Sequence, residues 1–271
     1  MAVFIFYVNP DMNNRITATL ANTPKALIAY ICAGDPDLSV SLDLMHALAN
    51  NGTDIIELGV PFSDPMADGA TIQRATQRAV DKGVSLRQVI DLAREFRKTN
   101  QTTPVVLMGY LNPIYRMGYQ AFAVATKDAG IDGVLTVDCP IDEIDELSGC
   151  LKTFDIAPIF LIAPTTNEQR IQKIAEKAQG FIYYVSLKGV TGSAALNVDE
   201  VRQRVALIKQ YTSVPIAVGF GIKTPDDARS VAQCADAVVV GSRFVQTIEE
   251  QGKNAVNAVA ELSGSLKVAI A

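Results

Sequence analysis

Ile55-Ile56-Glu57-Leu58-Gly59-Val60-Pro61-Phe62-Ser63-Asp64-Pro65-Met66-Ala67-Asp68-Gly69 opens as an apolar, β-branched run and ends in loop-forming residues. Such a run reads as a buried strand, closed here by Gly59 and Pro61. Glu57 sits inside it. A bare carboxylate is costly to bury, so it requires a compensating partner, a shifted pKa or a chemical task. A second acid, Asp68, follows in the loop. A strand-end glutamate in an ordinary salt bridge is the plain alternative, and the rest of the chain decides between the two.

Outward from this stretch, short apolar runs recur at Leu27–Cys32, Asp54–Leu58, Pro104–Met108, Gly133–Thr136, Pro158–Ile162, Phe181–Ser186, Pro215–Val218 and Ala237–Val240. Helical patterns lie between them at Leu38–Ala49, Ser85–Arg97, Tyr119–Ala129, Glu168–Ala178, Val198–Ile208 and Pro225–Ala232. Near-continuous apolar strands alternating with helices imply a parallel sheet covered by helices. Eight such units in 271 residues predict an α/β protein with a (β/α)8 TIM barrel. An open, doubly wound sheet is the structural alternative, but no G-x-G-x-x-G follows the first strand. With no linker or composition shift, residues 1–271 are expected to form one domain. Arg15–Ala21 is placed as a short helix capping the barrel's N-terminal end. Met12-Asn13-Asn14-Arg15 reads as an ordinary beginning, so residues 1–11 are expected to be an extension outside the core.

Two spacings are irregular. After the second strand there is room for a long loop and an extra helical turn over Thr71–Val80. After the sixth comes the Gly/Ser/Ala-rich segment Leu187–Leu196. Long loops in compact domains are commonly functional, and loops after barrel strands build the active face.

The net charge of −5 and pI near 5.0 argue against a nucleic-acid footprint. No apolar run approaches the ~20 residues that span a bilayer. The four cysteines, Cys32, Cys139, Cys150 and Cys234, show neither CxxC nor metal spacing, which suits buried free thiols in a reducing cytoplasm. The single histidine, His46, lies in a helical pattern and reads as structural.

Three constellations carry chemistry. Glu57 at the C-terminal end of strand two and Asp68 in the next loop share the catalytic face, as general acid–base work requires. Gly189-Val190-Thr191-Gly192, Gly219-Phe220-Gly221 and Gly241-Ser242 follow strands six, seven and eight. Glycines there let backbone N–H groups approach an anion, and a short helix beginning at Arg243-Phe244 would favour phosphate. Tight turns alone are the simpler reading. Tyr30, Met108, Tyr110, Leu135, Tyr183 and Phe220 lie near strand ends and together could line a pocket for a flat, apolar group, although each singly reads as core. An aromatic substrate with a phosphorylated tail would use all three sets.

The residues Glu57-Leu58-Gly59-Val60-Pro61-Phe62-Ser63-Asp64-Pro65-Met66-Ala67-Asp68-Gly69 closely resemble the signature of the tryptophan synthase α subunit family. So do Ala33-Gly34-Asp35-Pro36, Met108-Gly109-Tyr110-Leu111-Asn112-Pro113, the Gly189–Gly192 loop and Gly219-Phe220-Gly221-Ile222. The resemblance implies retro-aldol cleavage of indole-3-glycerol phosphate to indole and glyceraldehyde 3-phosphate. It makes Glu57 the principal acid–base group, sets Asp68 on the indole N–H, and gives Tyr183 a supporting role. Gly192, Gly221, Gly241 and Ser242 match phosphate-binding positions. It implies no cofactor or metal in this chain, and a pyridoxal-phosphate β subunit as partner in an α2β2 heterotetramer. That partner is expected to meet Pro61, Phe62, Asp64, Pro65, a turn at Asn112-Pro113, and Pro140. One departure is Leu187-Lys188 after Ser186, where many members carry an arginine. A standalone lyase releasing free indole, and a non-catalytic barrel that activates a β subunit, are the alternatives. The signature disfavours other phosphate-binding barrels.

Overall fold

The computed structural model describes residues 14–186, 197–219 and 221–271. Eight parallel strands close into a barrel in chain order: β1 (Ala26–Cys32), β2 (Ile55–Gly59), β3 (Val105–Gly109), β4 (Gly133–Thr136), β5 (Ala157–Ile162), β6 (Ile182–Val185), β7 (Ile216–Gly219) and β8 (Ala237–Val240). Every boundary lies within one residue of the apolar run read from the sequence. These strands are buried on both faces, which explains why their apolar residues are nearly consecutive. Leu27, Ala29 and Ile31 of β1 and Ile56 and Leu58 of β2 face the helices, joining Leu44, Leu48, Val89 and Phe96. Ala26, Ile28, Ile55, Val106, Leu135, Ile159, Ala217 and Val239 fill the barrel.

The described helices are α1 (Arg15–Asn22), α2 (Leu38–Asn50), α3 (Ala70–Asp81), α4 (Leu86–Arg97), α5 (Leu111–Met117), α6 (Tyr119–Asp128), α7 (Asp145–Lys152), α8 (Glu168–Lys177), α9 (Val198–Ile208), α10 (Pro225–Ala232), α11 (Ser242–Gln251) and α12 (Ala255–Ile270). Side-chain caps start several of them: Asp37, Ser85, Asn167, Asn197 and Thr224 accept from backbone N–H groups of the first turn. Helix α1 is capped by Asn14 and sends fully buried Ile16 into the N-terminal end of the barrel, the capping role expected of this segment.

The structure corrects the sequence reading in four places. The expected turn at Asn112-Pro113 is the first turn of α5, where a proline removes no intrahelical hydrogen bond. The extra turn after strand two is a full helix, α3. The short helix at Arg243-Phe244 is the ten-residue α11. Helices α5, α7 and α12 escape periodicity: α5 and α7 are short and contain Pro113 and Gly149, while α12 is apolar around much of its circumference. The extension 1–11 and the loop 187–196 lie outside the described residues.

Candidate active site

Glu57 projects into the barrel beside Tyr30, its register partner on β1. It is 1% exposed, and among the described residues its Oε1 accepts no hydrogen bond. Burial, reinforced by the negative charge of Asp68, pushes its pKa up to about 8. Among the described residues no cation acts on this carboxyl, which rules out the ordinary salt bridge there, and burial favours its protonated form. A proton donor sits instead in the mouth of the barrel.

Asp68 reaches the same face from the β2–α3 loop. The Tyr110 hydroxyl donates to Asp68 Oδ2 at 3.1 Å and accepts from the Ala67 N–H at 3.0 Å. The Gln73 side-chain amide donates to the Asp68 carbonyl oxygen at 2.8 Å, fixing the loop to the first turn of α3. Burial raises the Asp68 pKa while the tyrosine bond opposes it. Tyr110, expected in the wall of a pocket for a flat group, also supports the second acid through its hydroxyl. Spacing in the sequence carries no sign of this, because the two residues are 42 positions apart.

Two tyrosines stand over glycines. A Cβ added at Gly59 would lie 2.2 Å from the Tyr30 hydroxyl, and one at Gly219 would lie 2.4 Å from the Tyr183 hydroxyl. The glycines that end β2 and β7 thus make room for aromatic rings inside the barrel. For Gly219 this gives a packing reason for the glycine beside the expected approach to an anion. Burial holds both tyrosines well above their ordinary pKa, so they remain neutral hydrogen-bonding groups. Gly219→Ala is expected to destabilise the fold by ~1–3 kcal/mol, because the buried ring cannot yield freely. Denaturation midpoints measure this, and a loss of turnover should accompany it through Tyr183.

Leu135 is wholly buried in the interior cluster, and half-buried Met108 packs between that cluster and Tyr30, Cys32, Ala75, Ala79 and Val245. Phe220 and Gly192 fall outside the described residues. Gly221 is exposed with φ +78°, a backbone conformation that favours glycine. Gly241 is the N-cap of α11 and exposed Ser242 its first residue. A ten-residue helix presents its unpaired N–H groups and positive dipole end here, an arrangement suited to an anion.

At the rim, Pro61 is buried, which corrects the expectation of an exposed contact position there. Phe62 stacks on Tyr110 at 5.0 Å. Asp64, Asn112 and Pro140 are exposed and Pro65 is half-buried. Sequence reading passes over two apolar side chains nearby, Met66 at 81% and Tyr115 at 68% exposed. An apolar residue inside a Pro/Asp-rich loop is the signal that could have found Met66.

Of the cysteines, Cys32 alone is fully buried and the other three are half-buried; all are free. Among the described residues no three His, Cys, Asp or Glu side chains cluster as a metal site would require, and no helix is long and apolar enough to cross a membrane. A cleft of about 540 Å3 opens at the opposite end of the barrel, between Leu20–Pro24, Lys209, Thr212–Pro215 and Asp236, and contains none of the residues above.

A family model described as tryptophan synthase alpha chain matches residues 16–270. The tryptophan synthase alpha chain of Neisseria meningitidis serogroup B is 57% identical over 246 residues, covering 91% of this chain and 94% of that one. The crystal structure of tryptophan synthase subunit alpha from Legionella pneumophila superposes with a TM-score of 0.88 at 42% identity, covering 95% and 98% of the two chains. A chain of a tryptophan synthase complex from Pyrococcus furiosus superposes with a TM-score of 0.81 at 36% identity, covering 89% and 97%.

Proposed function

This chain belongs to the tryptophan synthase alpha chain family and is a carbon–carbon lyase acting on indole-3-glycerol phosphate; on that premise we propose which of its side chains carry the reaction. Glu57 enters protonated and delivers its proton to indole C3, interrupting the aromatic system. Asp68, ionised, faces the indole N–H and stabilises the positive charge that develops there. The resulting Glu57 carboxylate then takes the proton of the glyceryl hydroxyl. The C–O bond becomes a carbonyl, the bond to C3 breaks, and its electrons restore the indole ring. Indole and glyceraldehyde 3-phosphate leave, and Glu57 is again protonated.

The buried Glu57 carboxyl, with a pKa pushed up to about 8 and, among the described residues, no hydrogen bond to Oε1, carries this reading. Tyr183 supports Glu57 and the substrate. Tyr30, Met108, Tyr110, Leu135 and Phe220 hold the indole, while Gly192, Gly221, Gly241 and Ser242 hold the phosphate. No step in this sequence calls on a metal or an organic cofactor in this chain.

The family implies a β subunit as partner. We place it against Phe62, Asp64, Pro65, Asn112 and Pro140, with the exposed Met66 and Tyr115 extending the same rim, in a cytoplasmic α2β2 heterotetramer that passes indole onward. Pyridoxal phosphate belongs to that partner. The chain works as one barrel domain. Indole release from indole-3-glycerol phosphate, measured with and without a tryptophan synthase β subunit, tests the assignment. Slow release that rises sharply with the partner is expected. Fast release indifferent to the partner would mean a standalone lyase, and no release in either case would remove catalysis from this chain.

A further inference from the structure

Helix α3 is one of the helices that the regular strand–helix repeat does not require, and it follows directly on the Asp68 loop. Its inner face consists of buried Ala75, Thr76 and Ala79 with half-buried Ile72 beside them, packed against Tyr30, Cys32 and Val245. The polar face adds charge-assisted contacts to this packing. Arg78 grips Asp35, which is 2% exposed, with two parallel hydrogen bonds of 2.8 Å. Its third nitrogen donates to Glu249 Oε1 at 2.8 Å. Arg74 then clasps both oxygens of Glu249 at 2.8 and 2.7 Å. These charge-assisted contacts hold the Glu249 pKa down to about 2, so the clasp stays charged throughout the working pH range.

The two ends of this network have different consequences. On α3, Gln73 anchors the backbone of Asp68. On α11, Glu249 lies seven residues, about two turns, beyond Ser242 at the helix N-terminus. A hydrogen-bonded path therefore runs from the Asp68 loop through α3, Arg78 and Glu249 to α11, whose first turn is the Gly241–Ser242 end.

We propose that Arg78 and Glu249 are positioning residues that set the distance between the indole end and the phosphate end of the substrate site. The proposal rests on the reading of Asp68 and Gly241–Ser242 as those two ends. Holding both at the right separation allows one ligand to engage them together, and small misplacements then cost heavily.

The test compares Glu249→Gln with the parent full-length chain. This change loosens the α3–α11 link while leaving the Arg78–Asp35 pair intact, so Asp35 is not left buried and unpaired. Calorimetric affinities are measured for three probes: indole, glycerol 3-phosphate, and indole-3-propanol phosphate, which joins the two halves without the hydroxyls that cleavage needs. The expected result is an affinity loss of about 10-fold or more for the joined ligand, with a matching rise in KM for substrate, while each half binds within about twofold of the parent. Arg78→Lys, which retains a cation but loses the fork, should show the same pattern more weakly. Unchanged binding of the joined ligand overturns the proposal, and so does a parallel loss for both halves, which would mean general loosening. Two controls separate this from the site reading: Asp68→Asn should weaken indole alone, and Gly241→Val glycerol 3-phosphate alone. If neither control moves its fragment, the site reading has failed and the proposal falls with it.

Discussion

Glu57→Gln is expected to lower kcat by ~10²–10⁴-fold with little change in KM, because glutamine preserves shape and polarity but cannot exchange the proton. Steady-state rates decide this, and unchanged turnover would remove Glu57 as the acid–base group. The same substitution has a second consequence, in stability. The folded-state pKa of about 8 lies above the ordinary 4.5, so folded protein keeps a proton that unfolded protein releases between these values. The stabilising contribution is complete below pH 4.5 and is lost as pH rises through about 8. Across this window the parent should lose stability by up to ~1.4 kcal/mol per pH unit from this residue. Glu57→Gln lacks that slope, so its stability advantage over the parent should grow steadily from pH 5 to 8. Denaturant midpoints at three pH values measure it, and parallel pH profiles would contradict the burial of a protonated acid.

At the other end of the barrel, Asp132→Ala is expected to destabilise the fold by ~3–5 kcal/mol while leaving the turnover of folded molecules unchanged. Asp132 is buried and accepts from Arg97 Nη2 at 2.8 Å and from the Val105 N–H at 2.9 Å, and it pairs with Arg15 Nε at 2.9 Å. Arg97 also donates to the carbonyls of Gly130 and Thr103 at 2.8 and 2.6 Å. The pair thus joins α1, α4 and the starts of β3 and β4. Burial raises the Asp132 pKa and lowers that of Arg97 to about 10, so both pay for leaving water and depend on each other to remain charged. Removing the acid strands a guanidinium in the interior. Replacing Asp132 by Leu and Arg97 by Met together should therefore cost less than Asp132→Ala alone. A larger cost for the double variant would show that the backbone hydrogen bonds of Arg97 dominate.

The strands were legible because a sheet covered on both faces writes its burial directly into consecutive residues: β1 is apolar from Ala26 to Cys32 and β8 from Ala237 to Val240. The starts of α2 and α4 were legible from the helical patterns at Leu38 and Ser85, where the structure shows Asp37 and Ser85 as local caps. Glu57 was legible as an anomaly, a carboxylate where only apolar side chains belong. Such signals act over a few residues, and the chain carries them before it folds.

What required the closed barrel was every relationship between distant positions. The Tyr110 hydroxyl on Asp68 spans 42 positions, Arg78 on Asp35 spans 43, and Arg78 on Glu249 spans 171. No period or propensity links such residues; they meet only because eight strands close in register and bring their C-terminal loops to one face. Pro61 illustrates the same limit, since a proline after a strand reads as exposed and only the folded chain shows it buried. Local sequence thus determined the barrel and the presence of a buried acid. Tertiary closure decided what surrounds that acid, because only closure places side chains from separate strands within hydrogen-bonding distance and removes the water between them.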